Sequence, residues 1–182
     1  MNPAIPIATA AALALAASAR RRGSAQLDAA TLAMFKEKAG ELIRASGVAG
    51  LNQAREVWVS MVGENVPLDL SGADLSTAGL IRVDLSGADL SGAKLTEAEL
   101  LGANLRGANL SGANLEGADM RMADLAEARL NNASVRGANL SQANLKGADL
   151  TDIWWEPFDL DPGHCEPADD PGRTVWPIGF IP

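Results

Sequence analysis

The chain of 182 residues holds one cysteine and one histidine. With Cys165 alone no intrachain disulfide forms, and such cysteine usage suits a reducing compartment. His164 lies beside Cys165 and Glu166, but adjacent residues do not enclose a metal without further ligands, and no second Cys or His supplies them. A Cys/His nucleophile pair would also need a third group to orient it, so the trio reads as a solvated loop. No catalytic, cofactor-binding or metal-ligating residue is expected, and no cofactor. A basic stripe is missing too. The net charge of −8 divides into +2 over residues 1–66, −5 over 67–153 and −5 over 154–182, so nucleic acid is not an expected partner. No glycine-rich phosphate loop opens a helix, because the glycines recur at one fixed spacing.

That spacing is what the chain has in abundance. Leucine, or Met120 or Val135 in its place, falls on every fifth residue from Leu70 to Leu150. Two residues before each stands a small apolar residue, almost always alanine, as in Ala103-Asn104-Leu105-Arg106-Gly107 and Ala108-Asn109-Leu110-Ser111-Gly112. A period of five fits neither a 3.6-residue helix nor a two-residue strand. It requires a repeat architecture with a corner in every unit. In an extended side, Leu and the Ala two before it point the same way, into a common interior. The Asp or Asn between them faces out and satisfies turn backbone with its own side chain, and the Gly tolerates the corner.

The Ala-(Asp/Asn)-Leu-X-Gly unit over about residues 67–153 resembles the pentapeptide-repeat family. That resemblance implies a mainly β fold, a right-handed quadrilateral β-helix in which each pentapeptide is one side of a square. At twenty residues to a coil the tube has about four coils and a length of about 20 Å. Leu70, Leu90, Leu110, Leu130 and Leu150 are then expected to stack as one column of the core. No unit buries its leucine alone, so both ends need caps.

The flanks supply candidates. Four segments are expected: an apolar N-terminal segment (1–26), a helical N-terminal cap (27–66), the β-helix (67–153), and a C-terminal cap with a Pro-rich extended tail (154–182). Residues 4–19 carry no charge and run into Arg20, Arg21 and Arg22. A membrane anchor on the cytoplasmic side, a cleaved signal or organelle transit peptide, and an Ala-rich soluble helix all fit this run. Sixteen helical residues reach only about 24 Å, short of a bilayer core of about 30 Å. Asp28 is a good N-cap for a helix with Leu32, Phe35, Ala39, Leu42 and Ile43 on one face. Gly47 and Gly50 break it, and Ala54, Val57, Trp58, Met61 and Val62 mark a second face. The repeat fails at Trp154-Trp155, and two indoles are expected to plug the tube there. The end of the tail, Thr174-Val175-Trp176-Pro177-Ile178-Gly179-Phe180, is similar to a segment that follows the repeats in some cyanobacterial members of the family.

One surface feature breaks the pattern. The position after Leu is polar nearly throughout, yet Ile81 and Leu101 occupy it one coil apart, with Met122 a coil further on. A contiguous outward apolar patch rarely stays bare. The expectation is that the N-terminal helices fold over it, the alternative being a protein partner. The function expected is a non-enzymatic structural or protein–protein interaction module, in the form of a membrane-tethered scaffold or assembly subunit. The alternative comes from the resemblance: some members bind DNA gyrase and confer fluoroquinolone resistance by imitating duplex DNA. Those relatives are typically longer tubes with Phe at the centre, where this chain has Leu.

Overall fold

A computed structural model of the chain describes residues 28–155. The 4–19 run, His164, Cys165 and the 174–180 segment lie outside them.

The repeat builds a solenoid. Parallel bridges join residues twenty apart, from Asp69↔Asp89 to Ser134↔Trp154. Four ladders result, one per side, and the ladder through Asp69, Asp89, Asn109, Arg129 and Asp149 is typical. Each bridge residue faces the preceding coil with both backbone groups. The Asn109 N–H donates to the Ala88 carbonyl at 2.9 Å, and the Asn109 carbonyl accepts from the Leu90 N–H at 2.8 Å. The corners are β-turns: the Ala73 N–H donates to the Leu70 carbonyl at 3.0 Å, and Gly72, third in the turn, has φ 68°. Positive φ at that position alone makes the turn type II, whose third residue favours glycine. The adjoining Asp or Asn fixes the corner, as where the Asp89 Oδ1 accepts from the Ser91 N–H at 3.0 Å.

The expected extended sides are reduced to isolated single-residue bridges. In a side of five residues the turn takes two, which leaves no room for a continuous strand. Alternation still holds across the remaining three. Leu70, Leu90, Leu110 and Leu130 are wholly buried and Leu150 is 1% exposed, and the paired alanines line the same interior. Burying each leucine contributes on the order of 1.5–3 kcal/mol.

Helix α1 spans Ala29–Val62 and is broken at Gly47 (φ 54°, ψ −127°). Asp28 caps it by accepting from the Thr31 N–H at 2.7 Å. Phe35, Ala39, Ile43, Leu51, Ala54, Val57 and Trp58 join one core cluster with Leu68, Leu70 and the rest of the tube's interior. The two arms sit on the open edge of the first coil, where no preceding coil satisfies the bridge residues. Lys36 pairs with Asp69 at 2.9 Å, Arg44 donates to the Asp74 carbonyl, and Arg55 donates to the Asp84 carbonyl. On the remaining side Gly47 lies against the Gly79 carbonyl. All four sides of the edge are met.

This placement corrects the expectation that the helices fold over Ile81, Leu101 and Met122. Ile81 is 44% and Met122 62% exposed. The apolar faces of the arms instead join the tube's interior in one core cluster. The expected plug of two indoles is corrected as well. Trp155 packs against the core, whereas Trp154 takes the outward bridge position opposite Ser134 and is 68% exposed. Successive residues of a side point opposite ways, so only one of two neighbouring indoles enters.

Candidate interaction surface

The four corners of the tube differ in what they carry. The corner at Ser71, Ser91 and Ser111 is small and polar, with glycine at each following position, 72, 92 and 112. The corner diagonally opposite holds Ile81-Arg82, Leu101-Gly102, Arg121-Met122 and Ser141-Gln142 in successive coils. Backbone bonds fix that stacking: the Arg82 N–H donates to the Leu101 carbonyl at 2.9 Å and the Met122 N–H to the Ser141 carbonyl at 3.0 Å. Ile81 and Leu101 stack directly, with Leu101 half-buried. Met122 is offset by one residue and stacks with Arg82 and Gly102, so the three form a slightly slanted ridge rather than a straight column.

Arg82, Met122 and Gln142 all have left-handed φ, between 54° and 61°. The sequence period marks these as glycine positions but does not reveal that side chains there are held in the left-handed region. A non-glycine residue in that region costs roughly 1–2 kcal/mol, and glycine returns about 0.5–1 kcal/mol of that as unfolded-state entropy. Met122→Gly is therefore expected to stabilise the chain by about 0.5–1 kcal/mol. A denaturation midpoint at or below that of the parent would show the corner to be unstrained.

Carboxylates flank the ridge. One side carries Glu99 and Asp119, the other Asp84 and Asp124. Arg121 is bound to Asp119 through two contacts, 2.8 and 2.7 Å, and this holds the Asp119 carboxyl below the usual range. Hydrogen bonds from Ser86, with Arg55 a smaller influence, lower Asp84. A depressed carboxylate contributes stability above its unfolded value that is lost as pH falls through the folded one. The ladder amides soften the acidic row: Asn104 Nδ2 donates to Asp84 at 3.1 Å and Asn144 Nδ2 to Asp124 at 2.9 Å. Among the described residues Arg82 has no ion pair, and its stem lies over Gly102.

Chemistry has few footholds. Among the described residues no three of His, Cys, Asp and Glu are grouped to hold a metal. A groove of about 300 Å³ between Arg55, Trp58, Val66 and Asp84, and one of about 660 Å³ beside Asn132, Asp152 and Trp154, both open on the surface. The first holds Ser86 hydrogen-bonded to Asp84, which is the corner contact the repeat also makes between Ser71 and Asp69. Lys36, Ser71 and Asp69 do meet, but the lysine is paired with the carboxylate and the three join the cap to the first coil. Among the described residues no helix is long and apolar enough to cross a membrane.

Comparison with known proteins agrees with this architecture. The model of pentapeptide repeats matches eight copies, over residues 68–96, 84–121 and 123–153. Nothing among curated proteins matches the chain. A pentapeptide repeat protein of the cyanobacterium Cyanothece 51142 is 36% identical with a TM-score of 0.51, over 63% of this chain and 68% of that one. A pentapeptide repeat protein of the Arabidopsis thaliana thylakoid lumen is 35% identical with a TM-score of 0.40, over 50% of this chain and 66% of that one. QnrB1, a plasmid-mediated fluoroquinolone resistance protein, is 19% identical with a TM-score of 0.31, over 54% of this chain and 57% of that one. The match thus spans about two thirds of the first two relatives. A leucine every fifth residue, bridges every twenty, type II corners, the match to the repeat model and the likeness to the Cyanothece 51142 protein together place the chain in the pentapeptide-repeat family, whose solved members imply a right-handed β-helix.

Proposed function

We propose that the chain is a non-enzymatic protein-interaction module that presents the ridge of Ile81, Leu101 and Met122 to a protein partner. In this reading the repeats make about four coils of a rigid quadrilateral tube, about 20 Å long. The observation that carries it is the ridge: large apolar side chains stand at corner positions where the repeat elsewhere places polar residues, glycine or, once, the buried Ala126, with Ile81 and Met122 exposed. Methionine and arginine side by side are typical of interface cores. A photo-crosslinking residue at position 122 of the intact chain should trap a protein partner that one at position 111 does not. Ile81→Ser with Leu101→Ser should abolish the trapping. Equal trapping at both positions would remove the ridge from the function.

The scaffold reading also assigns residues 4–19 as a membrane tether, supported by an uncharged run that ends in three arginines. The intact protein is expected in the membrane fraction after alkaline carbonate, and a chain starting at Ser24 in the soluble one. A mature N-terminus near Arg20 would establish a cleaved targeting segment in place of the tether.

Duplex mimicry requires a dense, continuous negative surface. Here Arg129 interrupts the ladder between Asn109 and Asp149, and Lys94 stands between Asp74 and Asn114. No inhibition of gyrase supercoiling at micromolar concentration is expected. Salt-sensitive inhibition that is lost on neutralising Asp84 and Asp124 would reinstate the mimic.

A further inference from the structure

Resting on the ridge as the binding surface, we propose that its occupant is the same ridge of a second copy, with the two tubes side by side and antiparallel. The charge pattern selects this partner. The patch carries both signs: Arg82 and Arg121 on the corner itself, and Asp84, Glu99, Asp119 and Asp124 beside it. A uniformly basic partner meets Arg82, and a uniformly acidic one meets the flanking carboxylates. A surface with both signs around an apolar line complements itself, which is what a two-fold contact demands.

The register follows from the coil spacing. Ile81, Leu101 and Met122 lie in three successive coils, about 4.8 Å apart, so the ridge runs about 10 Å. A two-fold axis across the tubes at Leu101 sets the two Leu101 side chains against each other. It brings Ile81 of each copy beside Met122 of the other. It also keeps like sides together, so Glu99 of each copy faces the other's, a like pair that weakens the contact, and Arg82 stands between Asp84 of its own copy and Asp124 of the other. Arg82 leads into the side that carries Asp84, Asn104 and Asp124. In the antiparallel pair it faces the third coil of that same side in the second copy, where Asp124 stands. Two Arg82–Asp124 pairs form by symmetry, and each supplies Arg82 with the ion pair it lacks among the described residues. Arg121 does not compete, since Asp119 already holds it. The contact between two narrow corners is small, so the dimer is expected to be weak and to form in the micromolar range.

The test uses the full chain. Sedimentation velocity across the micromolar range should show a monomer passing to a dimer with rising concentration. Ile81→Ser with Leu101→Ser should raise the dissociation constant by at least about tenfold, and Arg82→Glu should also weaken the dimer. With Cys165→Ser removing the native thiol, Leu101→Cys should be joined to its copy by a short bismaleimide. Ser91→Cys, in the same coil on the opposite corner, should not. A chain monomeric throughout, a dimer indifferent to the ridge substitutions, or equal joining from position 91 would each overturn the proposal. A monomeric chain whose ridge still traps another protein at position 122 would overturn only the second copy and leave the ridge as the interaction surface. Loss of both would overturn the two together.

Discussion

Leu110→Ala is expected to cost roughly 2–5 kcal/mol, the span seen for other buried leucine truncations. Leu110 sits in the middle of the tube, wholly buried, between Leu90 and Leu130 of the same column. Its backbone is tied on both sides, with its N–H on the Arg129 carbonyl at 2.7 Å and its carbonyl accepting from the Ala113 N–H at 3.0 Å. A coil fixed in this way cannot collapse into the space left by the lost side chain, which pushes the cost toward the upper part of the range. Ser111 is the control one residue on. Its hydroxyl lies 2.6 Å from Asn109 Oδ1 and 2.7 Å from Asn131 Oδ1, but one proton serves only one acceptor at a time. Ser111→Ala should therefore cost about 1 kcal/mol or less. Chemical denaturation of both variants checks the pair. Equal midpoint shifts would mean that the inward and outward assignments of the repeat are wrong.

The inward assignment of Leu110 was legible because it follows from a local rule repeated many times. Leucine every fifth residue, alanine two before it and Asp or Asn between them settle which atoms face the interior, whatever the rest of the chain does. Asp28 as N-cap and Gly47 as a break were legible for the same reason, since each is decided within one turn of helix, whereas Gly50, expected as a second break, lies within the helix. The position of the helical arms was not. Phe35, Ala39, Ile43, Val57 and Trp58 announce apolar faces, but a stripe says only that something apolar must cover it. The tube offers two takers, the ridge and the open end, and the choice depends on the unpaired backbone edge of the first coil. That edge exists only once the coil is closed. Arg44 and Arg55 look like ordinary surface cations in the sequence until the Asp74 and Asp84 carbonyls stand in front of them. Trp154 shows the opposite limit: the period placed Trp155 inward, and alternation alone should have turned its neighbour out.

The ridge was visible as a departure from the pattern, but not its composition in space. Counting by twenty aligns Ile81 with Leu101. Met122 belongs to the next column of the same corner, with Arg82, and this offset puts an arginine among the apolar residues. The mixed character that favours a like partner over a basic or acidic one is therefore a property of the folded corner. The strain at Met122 points the same way. A glycine there would stabilise the tube but remove the exposed end of the ridge, so the stabilised Met122→Gly variant should also be the poorer binder.

Gly50→Ala is expected to destabilise the cap by roughly 3 kcal/mol or more, at or beyond the upper end of ordinary overpacking. A Cβ at this position would overlap the Leu42 carbonyl oxygen and fall 2.6 Å from its carbon and 2.9 Å from the Ile43 Cα. These are backbone atoms of the other arm of α1, so no rotamer change relieves the contact and the arms must separate. Separation has consequences beyond the helices. Ile43 and Leu51, both wholly buried, lie next to this crossing, and the Phe35–Trp58 pair, with ring centroids 5.1 Å apart, depends on the same closure. Arg44 and Arg55, on opposite arms, would no longer reach the Asp74 and Asp84 carbonyls together. Gly79→Ala is the matched control. It lies under the cap, but its added Cβ meets only Glu99 Oε2, at 3.8 Å, and its cost should stay within about 0.5 kcal/mol. Amide hydrogen exchange distinguishes local from global loss. In Gly50→Ala, protection should fall across residues 29–62 and at the first coil's edge, while amides near Leu110 keep theirs. Protection of residues 29–62 equal to that in Gly79→Ala would show that the arms do not depend on this crossing. The closure of the first coil's four sides by a single broken helix would then need another explanation.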